Sequence, residues 1–140
     1  MLTYVAQHKT TECGAACVAM LCGIGIAEAR GLLGQRRSDE TGWTSTSQIR
    51  TAISLRGLRL GNEVWTDDWT RLKSKDAPLL VAVNYKEWKT KTGLAKVSWH
   101  WAVYDPSDPE KPLLDPLSKK ERRAPRTTRL CSYFHVYRTQ

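Results

Sequence analysis

Apolar residues run almost unbroken from Cys13 through Ala15, Ala16, Cys17, Val18, Ala19, Met20 and Leu21 before Gly23 and Gly25 interrupt them. A segment apolar on every side predicts a buried helix over 14–22 that the glycines stop. Residues 28–33 predict a short second helix with Ala29, Leu32 and Leu33 inward, closed by Gly34. Ser45 or Thr46 caps a third, in which Ile49, Ala52, Ile53 and Arg56 keep helical spacing until Gly57. The first half therefore reads as helical. The period changes afterwards. Residues 78–84 form a short apolar run suited to a buried strand. Residues 96–105 alternate, with Val97, Trp99, Trp101 and Val103 on one face and Ser98, His100, Ala102 and Tyr104 on the other. Residues 112–115 and 130–137 are two further strands; in the last, Leu130, Ser132, Phe134 and Val136 oppose Cys131, Tyr133, His135 and Tyr137. Helices followed by strands predict an α+β domain with an antiparallel sheet.

Length and composition add bounds. The 140 residues suffice for one domain, 1–140, and 41% hydrophobic against 26% charged residues is ordinary globular usage. No apolar run approaches the roughly 18 residues needed to span a bilayer, and the first residues lack a signal-peptide core, so no membrane partner and a cytoplasmic location are expected. Residues 1–70 carry seven basic and seven acidic side chains, so the whole net charge of +8 falls in residues 71–140. Within residues 119–129, Lys119, Lys120, Arg122, Arg123, Arg126 and Arg129 face Glu121 alone. Such a run is either a solvated loop between strands or a contact for an acidic partner or nucleic acid.

The four cysteines are Cys13, Cys17, Cys22 and Cys131. In a reducing compartment they are buried, metal-bound or catalytic rather than disulfide-bonded, and their spacing matches no structural zinc block. No metal and no cofactor are expected. Cys13 stands at the entry of the first helix, where unpaired backbone N–H groups and the positive dipole end favour a nucleophilic thiolate. Cys17 and Cys22 lie deeper in the apolar helix and read as core. His100, central in its strand beside small Ser98 and Ala102, can aim an imidazole at a helix terminus. Asp115 ends the next strand, where an antiparallel partner sets a carboxylate behind that ring, as the third member of a triad does. Asp105 and Asp108 are rivals that fall in a turn, and His135 lacks a following Asp.

These residues resemble a known family. The segment Gln7-His-Lys-Thr-Thr-Glu-Cys13-Gly-Ala-Ala-Cys-Val-Ala-Met20 is similar to the active-site entry of the bacteriocin-processing cysteine peptidases, papain-like enzymes that cleave double-glycine leaders. Gly42-Trp-Thr-Ser-Thr-Ser-Gln-Ile49, Trp99-His100-Trp-Ala-Val103 and Leu113-Leu-Asp115-Pro116 resemble its further motifs in the family's order, so the likeness covers about residues 4–117. It implies a papain-like fold and a catalytic set of Cys13 as nucleophile, His100 as base and Asp115 as triad acid. Gln7 would donate to the oxyanion, a role physically suited to a side-chain amide six residues before the sulfur. It implies a peptide or protein substrate, Gly-rich at the cleavage site, in a narrow cleft that Trp43, Trp99 or Tyr104 would wall. Two departures stand out. Glu12 replaces the family's usual Asp, and these residues carry neither a transmembrane run nor a Walker-type phosphate loop, so a free-standing domain is expected. The alternatives are a non-catalytic binding module on the same scaffold, using the basic second half to hold a protein or nucleic acid, and a zinc hydrolase built on Cys13, Cys17 and His100, which would need further ligands.

Overall fold

Gly23 adopts a left-handed φ of 68° and stops helix α1 (Cys13–Cys22), its N–H donating to Ala19 O. The computed structural model describes residues 2–8, 12–34, 44–118, 120–126 and 128–139. α2 spans Ile26–Leu32 and α3 spans Thr46–Ser54. The α3 cap falls on Ser45, whose Oγ accepts from Gln48 N–H at 3.2 Å while its own N–H donates to Gln48 Oε1 at 2.8 Å. That reciprocal box satisfies two donors that a helix start otherwise leaves bare. Ile49, Ala52 and Ile53 then turn inward, as their spacing predicts.

Five antiparallel strands, β1 (Leu58–Trp65), β2 (Leu79–Lys89), β3 (Ala95–Tyr104), β4 (Leu113–Leu114) and β5 (Leu130–Arg138), form one sheet in the order β1-β5-β2-β3-β4. The α+β class is as expected, but the first half is not wholly helical, because β1 occupies its end. β1 hides its strand character: Leu60 is its one buried side chain, Gly61 interrupts it, and the pairing with β5 slips between Leu60 and Glu63. β2 also runs past the expected stop at Asn84, which takes a left-handed φ of 54° where the register with β3 shifts. A bulge lets a strand continue beyond such a residue. A second slip, between Ala82 and Val83 against β5, moves Leu130 to the face of Tyr133 and Cys131 to that of Phe134, the reverse of strict alternation.

The sheet carries a core on each face. One packs α1, α2 and α3 against Leu80, Trp101, Val103, Leu114 and Phe134. The other gathers Val81, Ala102, Tyr104 and Leu113 beneath Leu72 of a short 3-10 turn, Trp69–Leu72. Among the described residues, no single helix is long and apolar enough to cross a membrane.

Candidate active site

Cys13 is the first residue of α1 and is 4% exposed. The N–H groups of that first turn have no partner within the helix, so they point at whatever the sulfur meets. Glu12, the residue before it, does not cap the helix with its side chain. Its Oε1 instead accepts from His8 N–H at 3.2 Å, and its Oε2 pairs with Arg30 Nη1 of α2 at 3.1 Å. The buried carboxylate thus ties the segment just after Gln7 to the start of α1. Gln7 is held from the other side as well, its N–H donating to Pro116 O at 3.0 Å. The Tyr4 hydroxyl lies 2.7 Å from Ser118 O, which accepts its proton, and 3.0 Å from Asp115 O. Residues 4–7 therefore lie along the turn that follows Asp115.

β4 sets Leu114 opposite Val103 and Leu113 opposite Tyr104. β4 ends there, so Asp115 is the first residue beyond the strand, at the edge of the sheet beside β3. His100 Nε2 and Asp115 Oδ1 are 2.5 Å apart, with 16% and 8% of the two side chains exposed. Cys13 lies close enough to the same imidazole to raise its pKa, and with Nε2 turned to Asp115 the ring nitrogen left for the sulfur is Nδ1. Burial by itself would lower the His100 pKa, yet the hydrogen bonds and negative charge of Asp115 and Cys13 prevail and lift it from 6.5 to about 9. Burial raises the Asp115 pKa, but His100, the Leu117 N–H and Arg123 outweigh it and hold the carboxyl at about 2. Cys17, one turn deeper, is pushed well above the ordinary thiol range by burial, with the charges of Cys13 and Asp115 adding to it. It behaves as a core residue, and among the described residues no three His, Cys, Asp or Glu gather to hold a metal.

A cavity of about 260 Å³ opens beside the sulfur, lined by Cys13, Thr44, Gln48, Val97, Trp99 and Trp101. Gly14 makes room for its wall: a Cβ there would lie 2.5 Å from Thr44 Cβ. The Thr44 carbonyl in turn accepts from Trp101 Nε1 at 2.9 Å. Trp99 stands in this lining, edge-on to Trp101 at 5.7 Å. Trp43 lies outside the described residues. Tyr104 is on the far face, stacked on Trp69, and walls nothing near Cys13. Asp105 accepts from Ser107 N–H, Leu2 N–H and Arg122, and Asp108 accepts from Lys111 N–H, so both serve their turn. His135 is on β5, stacked against Tyr137.

The basic segment is not one uniform cationic face. Lys119 lies outside the described residues, while Arg122 pairs with Asp105 and Arg123 with Asp115, each at 2.7 Å. Sequence reasoning missed Arg123 and Tyr4 at this site. A charge run carries no signal of which member turns inward, and a tyrosine more than a hundred residues from its acceptor carries none at all.

No protein-family model matches the chain, and no curated protein matches it in sequence. Solved structures do. A double-glycine motif protease from an AMS/PCAT transporter, crystallised in complex with the leader peptide, superposes with a TM-score of 0.68 at 15% identity, over 99% of this chain and 93% of that one. The peptidase domain of Streptococcus ComA, a bifunctional ABC transporter involved in quorum sensing, superposes with a TM-score of 0.64 at 20% identity, over 99% and 98%. Along nearly its whole length, the chain has the papain-like fold of the double-glycine peptidase domains.

Proposed function

We propose that the protein is a metal-independent cysteine peptidase that cleaves a peptide or protein next to glycine. The observation that carries the reading is the convergence on His100 of a thiol from a helix start and a carboxylate from beyond a separate strand. The Cys13 S–H gives its proton to the His100 imidazole, which becomes imidazolium as the sulfur becomes nucleophilic. The thiolate attacks the scissile carbonyl carbon, and its oxygen takes the negative charge. The Cys13 N–H and the Gln7 side-chain amide stabilise that oxygen; losing one such donor typically costs ~100- to 1,000-fold in rate. The imidazolium gives its proton to the departing amine as the C–N bond breaks, leaving a thioester. Neutral His100 then takes a proton from water, whose oxygen attacks the thioester and releases acid and thiolate. Asp115 holds the ring in the tautomer and orientation that both transfers need.

Trp99 and Trp101, close to the sulfur, support a cleft with little room for side chains at the cut bond, and both structural neighbours are peptidase domains, one of them holding a leader peptide. Incubation with a peptide library containing double-glycine sites, read by mass spectrometry, tests the reading. Cleavage after glycine by wild type and none by Cys13→Ala is expected. Equal cleavage by both would sink it.

A further inference from the structure

Arg123 is fixed across from Leu113 by two backbone hydrogen bonds of 3.0 Å, one in each direction, two residues before Asp115. From that fixed root its Nη2 donates to Asp115 Oδ2 at 2.7 Å and to the buried Thr128 Oγ1 at 2.7 Å. The other carboxylate oxygen, Oδ1, faces His100 Nε2 and also accepts from Leu117 N–H at 3.0 Å. Apart from the ring it orients and the Leu117 N–H of its own turn, this carboxylate is held by Arg123, on its second oxygen. The torsion about a carboxylate is broad, so a group held on one oxygen alone can swing. Clamping the second removes that freedom.

Resting on the peptidase reading above, we propose that Arg123 is a positioning residue of the triad, gripping Oδ2 of Asp115 so that Oδ1 stays aimed at the His100 ring. A guanidinium suits the task because its plane fixes the directions of the two Nη2–H bonds to Asp115 and Thr128, whereas the three donors of an ammonium rotate on a flexible stem. The clamp also carries a charge, and this gives it a signature. Asp115 raises the His100 pKa; Arg123, behind Asp115, partly neutralises that carboxylate and so restrains the rise. The groups facing the pair are Cys13 on α1, Asp115 after β4, Arg123 on the bridge to Leu113 and Tyr4 on the N-terminal strap, with Cys17 behind. Removing the arginine charge therefore moves the imidazole pKa up, whereas removing the aspartate moves it down.

The test needs no substrate. In full-length protein with 15N-labelled histidine, NMR follows the His100 ring through pH and measures solvent exchange of its Nε2–H in wild type, Asp115→Asn, Arg123→Gln, Arg123→Lys and Thr128→Val. Asp115→Asn should titrate at least one unit below wild type. Arg123→Gln should titrate about half to one unit above it, the size expected of a screened charge two hydrogen bonds away, and its Nε2–H should exchange about tenfold faster. Arg123→Lys should restore the wild-type pKa without restoring slow exchange. Thr128→Val keeps every charge and should speed exchange with no pKa change, so it stands in should Arg123→Gln fail to fold. An Arg123→Gln pKa that falls like that of Asp115→Asn would show general disruption and overturn the proposal, as would variants matching wild type in both readouts. A wild-type His100 titrating near 6.5 would overturn the peptidase reading itself, and the clamp with it.

Discussion

Gly14→Ala sets two known effects against each other. Within a helix this change normally stabilises by about 0.5–1 kcal/mol, because alanine surrenders less backbone freedom on folding. At Gly14 the new Cβ would lie 2.5, 2.6 and 3.0 Å from the three outer atoms of the Thr44 side chain. Those contacts are closer than carbon atoms tolerate, by roughly 1 Å relative to the usual 3.5–4.0 Å. Thr44 cannot simply turn away, since it is β-branched and its carbonyl holds the buried Trp101 indole at 2.9 Å. Overpacking costs about 1–3 kcal/mol, and an indole N–H left without its acceptor costs about 1–3 kcal/mol if Thr44 retreats instead. Either term exceeds the helix gain, so Gly14→Ala should lose about 1–2 kcal/mol net, a fall in Tm of roughly 3–8 °C at this chain length. Gly31→Ala in α2 is the internal control, because nothing lies within 4 Å of its Cβ; it should gain about 0.5–1 kcal/mol. Urea unfolding of the two variants beside wild type provides the measurement. A Gly14→Ala protein as stable as Gly31→Ala would refute the claim that Thr44 presses on the start of α1.

The ion pair of His100 and Asp115 predicts a stability window. Asp115, depressed from 3.8 to about 2, contributes above 3.8 and loses that contribution as pH falls through 2; His100, raised to about 9, contributes fully below 6.5 and loses it as pH rises through 9. The stability gap between wild type and Asp115→Asn should therefore peak between about pH 4 and 6.5, at about 2–3 kcal/mol, and shrink on both sides in pH-dependent urea titrations. A gap that is flat with pH would contradict the assignment. Glu12→Ala removes the carboxylate from the His8 N–H and from one side of Arg30, so unfolding should show a loss of about 1–3 kcal/mol. Tyr4→Phe removes the hydroxyl from Ser118 O at about 1 kcal/mol, and hydrogen exchange should rise in residues 2–8 while the helices keep their protection.

Much of this arrangement was legible because its determinants are local. The all-apolar run after Cys13 requires a buried helix, Ser45 and Gln48 form a capping box from their own spacing, and alternation through Trp99, His100 and Trp101 fixes β3. Asp115 could be placed beside His100 because an antiparallel return from β3 to β4 brings the end of one strand to the middle of the other. What escaped was determined by distant partners. β1 has one buried side chain and a glycine at its centre, so only the pairing with β5 makes it a strand. The faces of Leu130 and Cys131 depend on a slip against β2 that no alternation contains. Arg122 and Arg123 looked like two more charges in a basic run, and their inward turn is decided by Asp105 and Asp115.

The central claim is that His100 activates the Cys13 sulfur. Limited alkylation with iodoacetamide at pH 6–7, resolved by mass spectrometry over Cys13, Cys17, Cys22 and Cys131, measures it directly in wild type and His100→Ala. The account predicts that Cys13 reacts at least about tenfold faster than each other cysteine in wild type and loses that lead without His100. Equal labelling of all four cysteines, or a Cys13 lead that survives in His100→Ala, would contradict it.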